Sequence, residues 1–476
     1  MDVYGWMVDK IIKMSRFAQS AFREGARPPL NLRSWDFIAS HVTGPDGYKI
    51  PDYVRGDTNS YARERHRGGD AKSRYKVTLF RDNHAWCPYC QKVWLFMEEK
   101  RLDYRVEKIT MRCYGEKERW YTREINARGL LPALLIEDEA APGGRREVVT
   151  ESDALLERLE GLFGPLGAEM NGKAARRKRG LERQLFGAWC DWLCRPSRSA
   201  AEEARKREQF RRVCGEVEAA IEGPYFNGEF SIIDVIFTPY VERMQASLYY
   251  YKGFNMRAEF PKIDAWFSAM EGRACYRGTK SDHHTHCHDL PPQMGGCEFA
   301  VERSEGERQC AEKVDNAGLQ VSGQDPFPAR EIDEDVWPEE SHSRLEALHR
   351  FLLHRKNVEK INPVKGEAFD VALRAVCTVL LEDDRALKGQ ELPEVEAITK
   401  LPRGSALALL FIRDRLSIPR DMSFWAGRRF REALGNVAHF YGEKADLEEY
   451  RAGGKFAIPK EHRLDTDPAK FRAYVM

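Results

Sequence analysis

The stretch KVTLFRDNHAWCPYC, residues 76–90, decides the fold of this chain. It begins with a β-like run at 76–81, and the residues after it, 91–100, have the pattern of a helix. Cys87 is therefore predicted at a helix N-terminus, where unpaired N–H groups and the helix dipole favour a thiolate over a thiol. Pro88 suits the first helical position, because its φ is already helical and it has no N–H to lose. The sequence predicts thiol chemistry at Cys87, with Cys90 as the second cysteine.

A zinc site is the alternative interpretation of this cysteine pair. Such a site normally needs a second pair of ligands at suitable spacing, and the sequence has no other C-x-x-C. Cys190 and Cys194 lie four residues apart in a helix-like stretch that core packing explains better. Two inert buried cysteines are a further alternative. We expect thiol chemistry here, with no bound metal.

Length and composition limit the classes of function. A chain of 476 residues is too long for one core, and roughly three domains are expected. The formal net charge of +1 gives no support for a nucleic-acid partner. No apolar run approaches the roughly 20 residues that span a bilayer, so no membrane partner is expected. The 11 cysteines form no small-domain framework, which favours a reducing compartment over secretion.

The order of elements from residue 75 to 165 predicts a compact α/β layer of the thioredoxin type. After the C-x-x-C helix come a strand at 104–109, a helix at 115–125 and a strand that follows Pro132. A short strand at 148–149 precedes a helix that opens at 150–153. Proline entering a strand is awkward unless the peptide bond before it is cis or the strand is at an edge. A cis-proline that faces the reactive cysteine makes Pro132 a site residue.

The other parts of the chain are predicted from composition and periodicity. Residues 1–74 form a largely irregular N-terminal extension, and residues 175–289 form an all-helical domain. In that domain Ser231 and Asp234 have the spacing of a capping box. Residues 290–340, rich in Pro, Gly and charge, form a linker. Residues 341–476 form a mostly helical C-terminal extension that contains no motif linked to chemistry.

A thioredoxin-like domain followed by an all-helical one resembles the layout of glutathione transferases. The string Gly129-Leu130-Leu131-Pro132 resembles the step before that family's cis-proline, and Glu151-Ser152 resembles its γ-glutamyl-binding pair. The capping box of residues 231–234 resembles that of its helical domain. The resemblance covers about residues 75–289. The string WCPYC, residues 86–90, together with the long extension after residue 290, is most similar to the iota class of photosynthetic organisms.

The resemblance implies glutathione as cosubstrate and disulfides or glutathionylated compounds as substrates. Cys87 matches the catalytic cysteine. Residues implied at the glutathione site are Trp86, Pro88, Tyr89, Lys117, Leu131, Pro132, Glu151 and Ser152. Lys117 matches a basic residue near the glycyl carboxylate, and an exposed helix lysine is the alternative. For Glu151 and Ser152 the alternative is simple N-capping, which is compatible with ligand contact.

The function expected is a glutathione-dependent thiol–disulfide oxidoreductase, active in thioltransfer and deglutathionylation. Cys87 would form a mixed disulfide with glutathione, and Cys90 is either a resolving thiol or a small buried side chain. Two alternatives stay open: a ligand-binding or scaffold protein that holds an aromatic compound with little turnover, and a conjugating glutathione transferase. The resemblance also implies a homodimer and a plastid or cytosolic location.

The run HHTHCH at residues 283–288 offers an alternative site for a metal. In an extended segment His284, His286 and His288 would point to one face, where they could hold a divalent ion. Histidines that only form hydrogen bonds between neighbouring modules are the competing explanation, and we expect no metal here.

Overall fold

The computed structural model of the protein describes residues 29–43, 63–65, 74–138, 140–141, 143–316, 343–382 and 397–453. The chain forms two compact units. The larger unit lies within residues 49–315 and 414–428, and the smaller within 1–48, 316–413 and 429–457.

A five-stranded sheet forms the centre of the first domain of the larger unit. Its strands are β1 (Glu64–Arg65), β2 (Tyr75–Asp82), β3 (Tyr104–Ile109), β4 (Ala133–Asp138) and β5 (Arg145–Thr150). They are arranged in the order β1-β3-β2-β4-β5, with β2 and β3 parallel and the other neighbours antiparallel. Leu79 on β2 pairs with Val106 on one side and Leu134 on the other, and all three side chains are buried. The alternating apolar residues of β2 thus build the core beneath the cysteine motif.

Three helices complete this domain: α1 (Pro88–Glu99), α2 (Arg119–Glu124) and α3 (Ser152–Phe163). The order β-α-β-α-β-β-α and the thioredoxin-like fold are confirmed. The helix predicted at 115–125 is shorter, because a 3₁₀ turn at Arg112–Tyr114 ends at Gly115 with φ 152° and α2 begins only at Arg119. The Glu118 carboxylate accepts hydrogen bonds from the backbone N–H and hydroxyl of Thr110, at 3.1 and 2.9 Å, which holds this connection.

The second domain of the larger unit is helical, as predicted. Its helices are α4 (Lys173–Cys194), α5 (Ala200–Ala219), α6 (Ile232–Lys252), α7 (Met256–Glu259), α8 (Pro261–Glu271), α9 (Ala274–Arg277), α10 (His283–Met294) and α11 (Glu305–Asp315). Every residue of α6 is buried, so this helix is the centre of the domain. The capping box that begins α6 is confirmed: the Ser231 side chain accepts from the Ile233 N–H, and Asp234 accepts from the Ser231 N–H at 2.8 Å.

The boundary predicted at residue 289 and the linker predicted after it differ from the structure. Helix α10 continues to Met294, and α11 packs on α6 with Ala311 and Val314 buried. The proline and charge content of this segment suggested a linker, but apolar residues at helical spacing give α11 one buried face. Residues 317–340 of the predicted linker lie outside the described part of the chain.

The smaller unit combines segments from both ends of the sequence. A strand at Leu30–Asn31 pairs antiparallel with Ala397–Ile398. The helices of these parts of the chain are Trp35–Thr43, Ser343–Ile361, Glu367–Glu382, Ser405–Arg415, Phe424–Tyr441 and Lys444–Ala452. The prediction of a mostly helical C-terminal extension is confirmed.

The N-terminal extension, predicted to be largely irregular, contains one helix, Trp35–Thr43. Its residues Ile38 and Val42 are buried, and the Trp35 indole N–H donates to Asp370 at 2.7 Å. Apolar side chains at helical spacing therefore give this segment a partner surface in the smaller unit. Most of the remaining residues of 1–74 lie outside the described ranges.

Helices of sufficient length and apolarity to cross a membrane are absent from the described residues.

Candidate active site

Cys87 is the N-cap residue of α1, directly before Pro88 at the first helical position. Its carbonyl oxygen accepts the N–H of Gln91 at 2.9 Å, the first hydrogen bond of the helix. The side chains of Cys87 and Cys90 are buried, and both are free thiols. The predicted position of the cysteine pair at a helix N-terminus is confirmed.

Asp82, the last residue of β2, lies beside this pair and was missed by the sequence analysis. Its Oδ2 accepts the backbone N–H groups of Trp86 and Cys87 at 2.7 and 3.2 Å. A carboxylate oxygen of Asp82 and the two sulfur atoms all lie within 4.8 Å of one another, so the three groups form a donor set that could hold a metal or exchange a proton. A buried acid at the end of the strand, five residues before Cys87, was the signal in the sequence.

Cys90 differs from Cys87 in depth and in protonation. Burial and the hydrogen bond to Cys87 raise the pKa of Cys90 well above its ordinary value. Cys90 is therefore a thiol at neutral pH, and its S–H can donate to the Cys87 sulfur. Such a donor favours negative charge on the outer sulfur.

Arg243 of α6 is a second residue that the sequence analysis missed. Its guanidinium group lies 4.6 Å from the centre of the Trp86 ring and donates to the Trp86 carbonyl and, at 2.8 Å, to Oε1 of Gln91. Burial lowers the pKa of Arg243 from its usual value, while Glu242 and Cys87 raise it. A buried arginine needs partners for its charge and its N–H groups. In the sequence, the signal for Arg243 was a charged residue within a mostly apolar helical stretch.

The Leu131–Pro132 peptide bond is cis, as predicted for the strand entry. The carbonyl oxygen of Leu130 accepts the Tyr121 hydroxyl at 2.6 Å and the Asn126 side-chain amide at 3.1 Å, which fixes this turn. Leu131 packs on a small apolar cluster that contains Cys87, Cys90, Met111 and Tyr114. The cis-proline turn and the two cysteines are thus neighbours in space.

A cavity of about 740 Å³ lies between α1, α3 and the start of α4. Five of the residues predicted at the glutathione site line it: Tyr89, Leu131, Pro132, Glu151 and Ser152. Trp86, Cys87, Pro88, Cys90 and Lys117 are not among the lining residues. Leu131 joins the two groups, because it lines the cavity and also packs on the cysteine cluster.

Glu151 and Ser152 form the start of α3 in the wall of this cavity. Glu151 has φ 71°, a left-handed conformation that is uncommon for residues other than glycine and marks functional turns. Its carboxylate forms an exposed ion pair with Arg128 at 3.0 Å. The helix has no side-chain hydrogen bond at its N-cap, so its first N–H groups can meet an anion.

The opposite wall of the cavity is basic. Arg176, Arg179 and Arg183 of α4 line it, and Arg179 forms an ion pair with Asp153 at 2.8 Å. Arg183 lies 4.6 Å from the centre of the Tyr240 ring and donates to Glu182 at 2.6 Å. Since Asp153 and Glu182 already pair with two of these arginines, Arg176 is the basic side chain best placed to meet a negative group of a ligand.

Lys117 lies between the 3₁₀ turn and α2 and is not among the residues that line the cavity. Its ammonium group donates to the Thr110 carbonyl at 2.7 Å, and its stem packs at Gly129, where a Cβ would come within 2.9 Å of Lys117 Cδ. Burial lowers the pKa of Lys117, while the nearby Cys90 and Asp82 raise it. Contact of Lys117 with a glycyl carboxylate stays a prediction.

Comparison with known families now identifies the two domains. Residues 86–162 match the family model of the glutathione S-transferase N-terminal domain, and residues 200–269 match that of the C-terminal domain. These two regions of the chain are therefore similar to the two domains of glutathione S-transferases. The cavity lies between these two domains.

Individual relatives match the transferase domains at low identity. Glutathione S-transferase L3 of Arabidopsis thaliana is 26% identical over 202 residues, which are 41% of this chain and 79% of the relative. Glutathione S-transferase DHAR3, chloroplastic, of the same plant is 21% identical over 197 residues, 41% of this chain and 69% of the relative. The crystal structure of glutathione transferase Omega 3C from Trametes versicolor has a TM-score of 0.36 at 23% identity, covering 43% of this chain and 89% of that one.

The histidine run in the helical transferase domain is not extended, which corrects the expectation that three alternate histidines share a face. Asp282 caps α10 by accepting the Thr285 N–H at 3.0 Å, and the run forms the first two turns of the helix. On a helix, residues four apart share a face, so His284 and His288 lie together. His286 instead contacts the buried carboxylate of Glu242 on α6.

Proposed function

We propose that this protein is a glutathione-dependent thiol–disulfide oxidoreductase that acts through Cys87. The observation that carries the proposal is the cysteine pair at the N-terminus of α1, with the Asp82 carboxylate and the cis-Pro132 turn as neighbours. A cysteine in this place can attack a disulfide directly, because the helix dipole and the Cys90 thiol stabilise a negative sulfur.

Glutathione would bind along the cavity wall formed by the cis-proline turn and the start of α3. Its γ-glutamyl carboxylate would meet the free N–H groups at Ser152, and its amino group would meet the Glu151 carboxylate. Its cysteinyl part would pair with the Leu131 backbone, which brings the glutathione sulfur toward Cys87. Trp86, Pro88 and Tyr89 would surround that sulfur. The basic wall at Arg176 offers a partner for the second carboxylate, as an alternative to Lys117.

The reaction would proceed by two thiol–disulfide exchanges. In the first, the Cys87 thiolate attacks the glutathione sulfur of a mixed disulfide, the old S–S bond breaks, and the substrate leaves as a thiolate that takes up a proton. In the second, the thiolate of a free glutathione attacks the same glutathione sulfur. Glutathione disulfide then leaves and the Cys87 thiolate is restored. Two glutathione-derived electrons reduce one disulfide.

The one-cysteine route is the one that we propose. The raised pKa of the buried Cys90 thiol keeps it protonated near neutral pH, so it is a poor nucleophile toward a Cys87–glutathione disulfide. Asp82 lies within 4.8 Å of both sulfurs and could accept the Cys90 proton in a slower, internal route.

We also propose a class within the family, a cellular location and an oligomeric state. The WCPYC string supports the iota class. A chloroplastic relative, DHAR3, supports a plastid location. A homodimer is supported only by the resemblance to the glutathione transferase family, whose members commonly dimerise. The ligand-binding and conjugating alternatives are decided by the assay below.

The test is glutathione-dependent reduction of a small glutathione mixed disulfide by the full chain. Wild type, Cys87→Ser and Cys90→Ser are compared, with Ser152→Ala as a probe of glutathione binding. Loss of turnover with Cys87→Ser alone, and a raised KM for glutathione with Ser152→Ala, supports the proposal. A wild type that binds glutathione without turnover overturns it in favour of the ligand-binding alternative, and conjugation without disulfide reduction overturns it in favour of a conjugating transferase.

A further inference from the structure

A second group of chemically active side chains lies in the helical domain. His284 and His288 are one helical turn apart on α10, and Asp315 is the last residue of α11. One donor atom from each of the three residues lies within 4.8 Å of the other two. The Nε2 atom of His288 and Oδ1 of Asp315 are 2.8 Å apart. This separation is that of a hydrogen bond, and a small outward shift of either side chain would let both atoms bind one ion.

Burial separates this group from an ordinary patch of surface charge. The His284 side chain is 0% exposed, that of His288 8% and that of Asp315 29%. An ion could therefore enter from the side of Asp315, and α10 and α11 would shield it from solvent on the opposite side. Two neutral imidazoles and one carboxylate are a donor set that zinc and ferrous iron accept, with further coordination positions left open.

Neighbouring side chains hold these three residues in place. The Tyr250 hydroxyl donates to Oδ2 of Asp315 at 3.1 Å. This bond turns Oδ1 of Asp315 toward His288. The Tyr250 ring packs edge-on against His288 with centroids 5.3 Å apart. On the other side, Nε2 of His284 is 3.9 Å from the buried carboxylate of Asp414. At this distance the contact is electrostatic and longer than a hydrogen bond.

We infer that His284, His288 and Asp315 form a binding site for a divalent transition-metal ion of the zinc type. This site goes beyond the proposed thiol chemistry and involves none of its residues. His286 is excluded from it, because its imidazole is bound to Glu242. The expected donor set is therefore two histidines and one aspartate, in place of three alternate histidines.

The test is metal binding by the full chain after removal of bound metal with a chelator. Co²⁺ is titrated first, because a histidine–carboxylate site gives visible bands without the near-ultraviolet thiolate-to-cobalt absorption that the cysteine pair would give. Zn²⁺ is then used as the competitor, and Mg²⁺ as an ion that prefers oxygen ligands. Variants are His288→Gln, Asp315→Asn and Tyr250→Phe. His283→Gln, the neighbouring histidine of the same helix, is the matched control.

The expected result is one Co²⁺ per chain with no thiolate absorption, displaced by Zn²⁺ and not by Mg²⁺. Affinity should fall at least about 100-fold with His288→Gln or Asp315→Asn, and about 10-fold with Tyr250→Phe, while His283→Gln keeps it. If His288→Gln fails to fold, the Asp315→Asn variant tests the site, because the Asp315 side chain is partly exposed and its substitution should be tolerated better. Binding that survives these ligand substitutions, binding only through thiolates, or no saturable binding overturns the inference.

Discussion

Helices α1 and α10 each carry a short run of chemically active residues, and both pack on α6. The cysteine motif was predicted at the start of its helix and is found there. The histidine run was considered as a metal site only for the case of an extended segment, and it is instead the start of a helix. The difference lies in how firmly each pattern fixes its backbone.

The cysteine motif contains its own structural signals. Pro88 is placed where a helix begins, and an apolar strand precedes it at a fixed distance. The histidine run lacks such signals, because His284, His286 and His288 satisfy the two-residue period of a strand, while His284 and His288 alone satisfy the helical spacing. Asp282, the N-cap of α10, was the only local hint of the helix.

The largest effect should separate the two regions by activity. Cys87→Ser should lower the glutathione-dependent disulfide reduction rate at least about 1,000-fold, because it removes the nucleophile. The matched change in the other region, His288→Gln, should leave that rate within about twofold, since it lies in the proposed metal site. Initial rates at saturating glutathione are the measurement. Equal losses in both variants would mean that the two regions act as one site.

The next effect concerns Glu242, which joins the two regions and accepts hydrogen bonds from His286, Ser281 and Gln91. Although burial opposes its charge, His286 and Arg243 hold the pKa of Glu242 at about 2, below its ordinary value of 4.5. The stability from this carboxylate is thus fully present above pH 4.5 and is lost as the pH falls toward 2.

Glu242→Gln should therefore be less stable than wild type at pH 7. Its unfolding free energy should also fall less steeply than that of wild type between pH 5 and 3. Chemical denaturation at several pH values measures both. Exposed Glu216→Gln, whose carboxylate pairs with Arg212 on the surface of α5, is the control. An unchanged slope in Glu242→Gln would show that Glu242 does not carry the acid sensitivity.

A smaller effect is expected from Asp82. Asp82→Asn keeps an oxygen that can accept the Trp86 and Cys87 N–H groups but removes the negative charge beside the sulfurs. We expect a rate loss of about 10–100-fold together with a changed pH–rate profile, because the Asp82 carboxylate lies within 4.8 Å of the Cys87 sulfur and can take up the proton that Cys87 loses. A rate loss with an unchanged pH–rate profile would mean that Asp82 only positions the loop through its hydrogen bonds to the Trp86 and Cys87 N–H groups. Asn83→Ala, one residue along the same loop, serves as the comparison.

The smallest effect is expected from Cys90→Ser. The buried thiol donates to Cys87 but is not used in the one-cysteine route, and a serine hydroxyl can replace the donor. Turnover should change by less than about threefold. A much larger loss would support the internal disulfide, whose direct check is mass measurement of an intermediate trapped without glutathione.

Local sequence was sufficient for the elements whose geometry a few neighbouring residues dictate. Pro132, the capping box at Ser231 and the helix start at Cys87 belong to this group. Arg243 and Glu242 could not be assigned in advance, since their partners Trp86, Gln91 and His286 lie 44 to 157 positions away in the sequence. For the same reason, the pairing of residues 30–31 with 397–398 was not predictable from either strand alone.

The Glu242–Arg243 pair has a consequence for where this chain can be divided. The family match of the helical domain ends at residue 269, before α10. A protein shortened there would lose His286 and Ser281, which supply two of the hydrogen bonds to the Glu242 carboxylate. Gln91 and Arg243 would remain beside it. The segment 414–428 continues this network of hydrogen bonds, because Ile418 donates its N–H to Thr285 at 3.2 Å and accepts from Ser281. A protein that ends at the family boundary is therefore expected to be less stable around the cysteine motif than one that keeps α10 and residues 414–428.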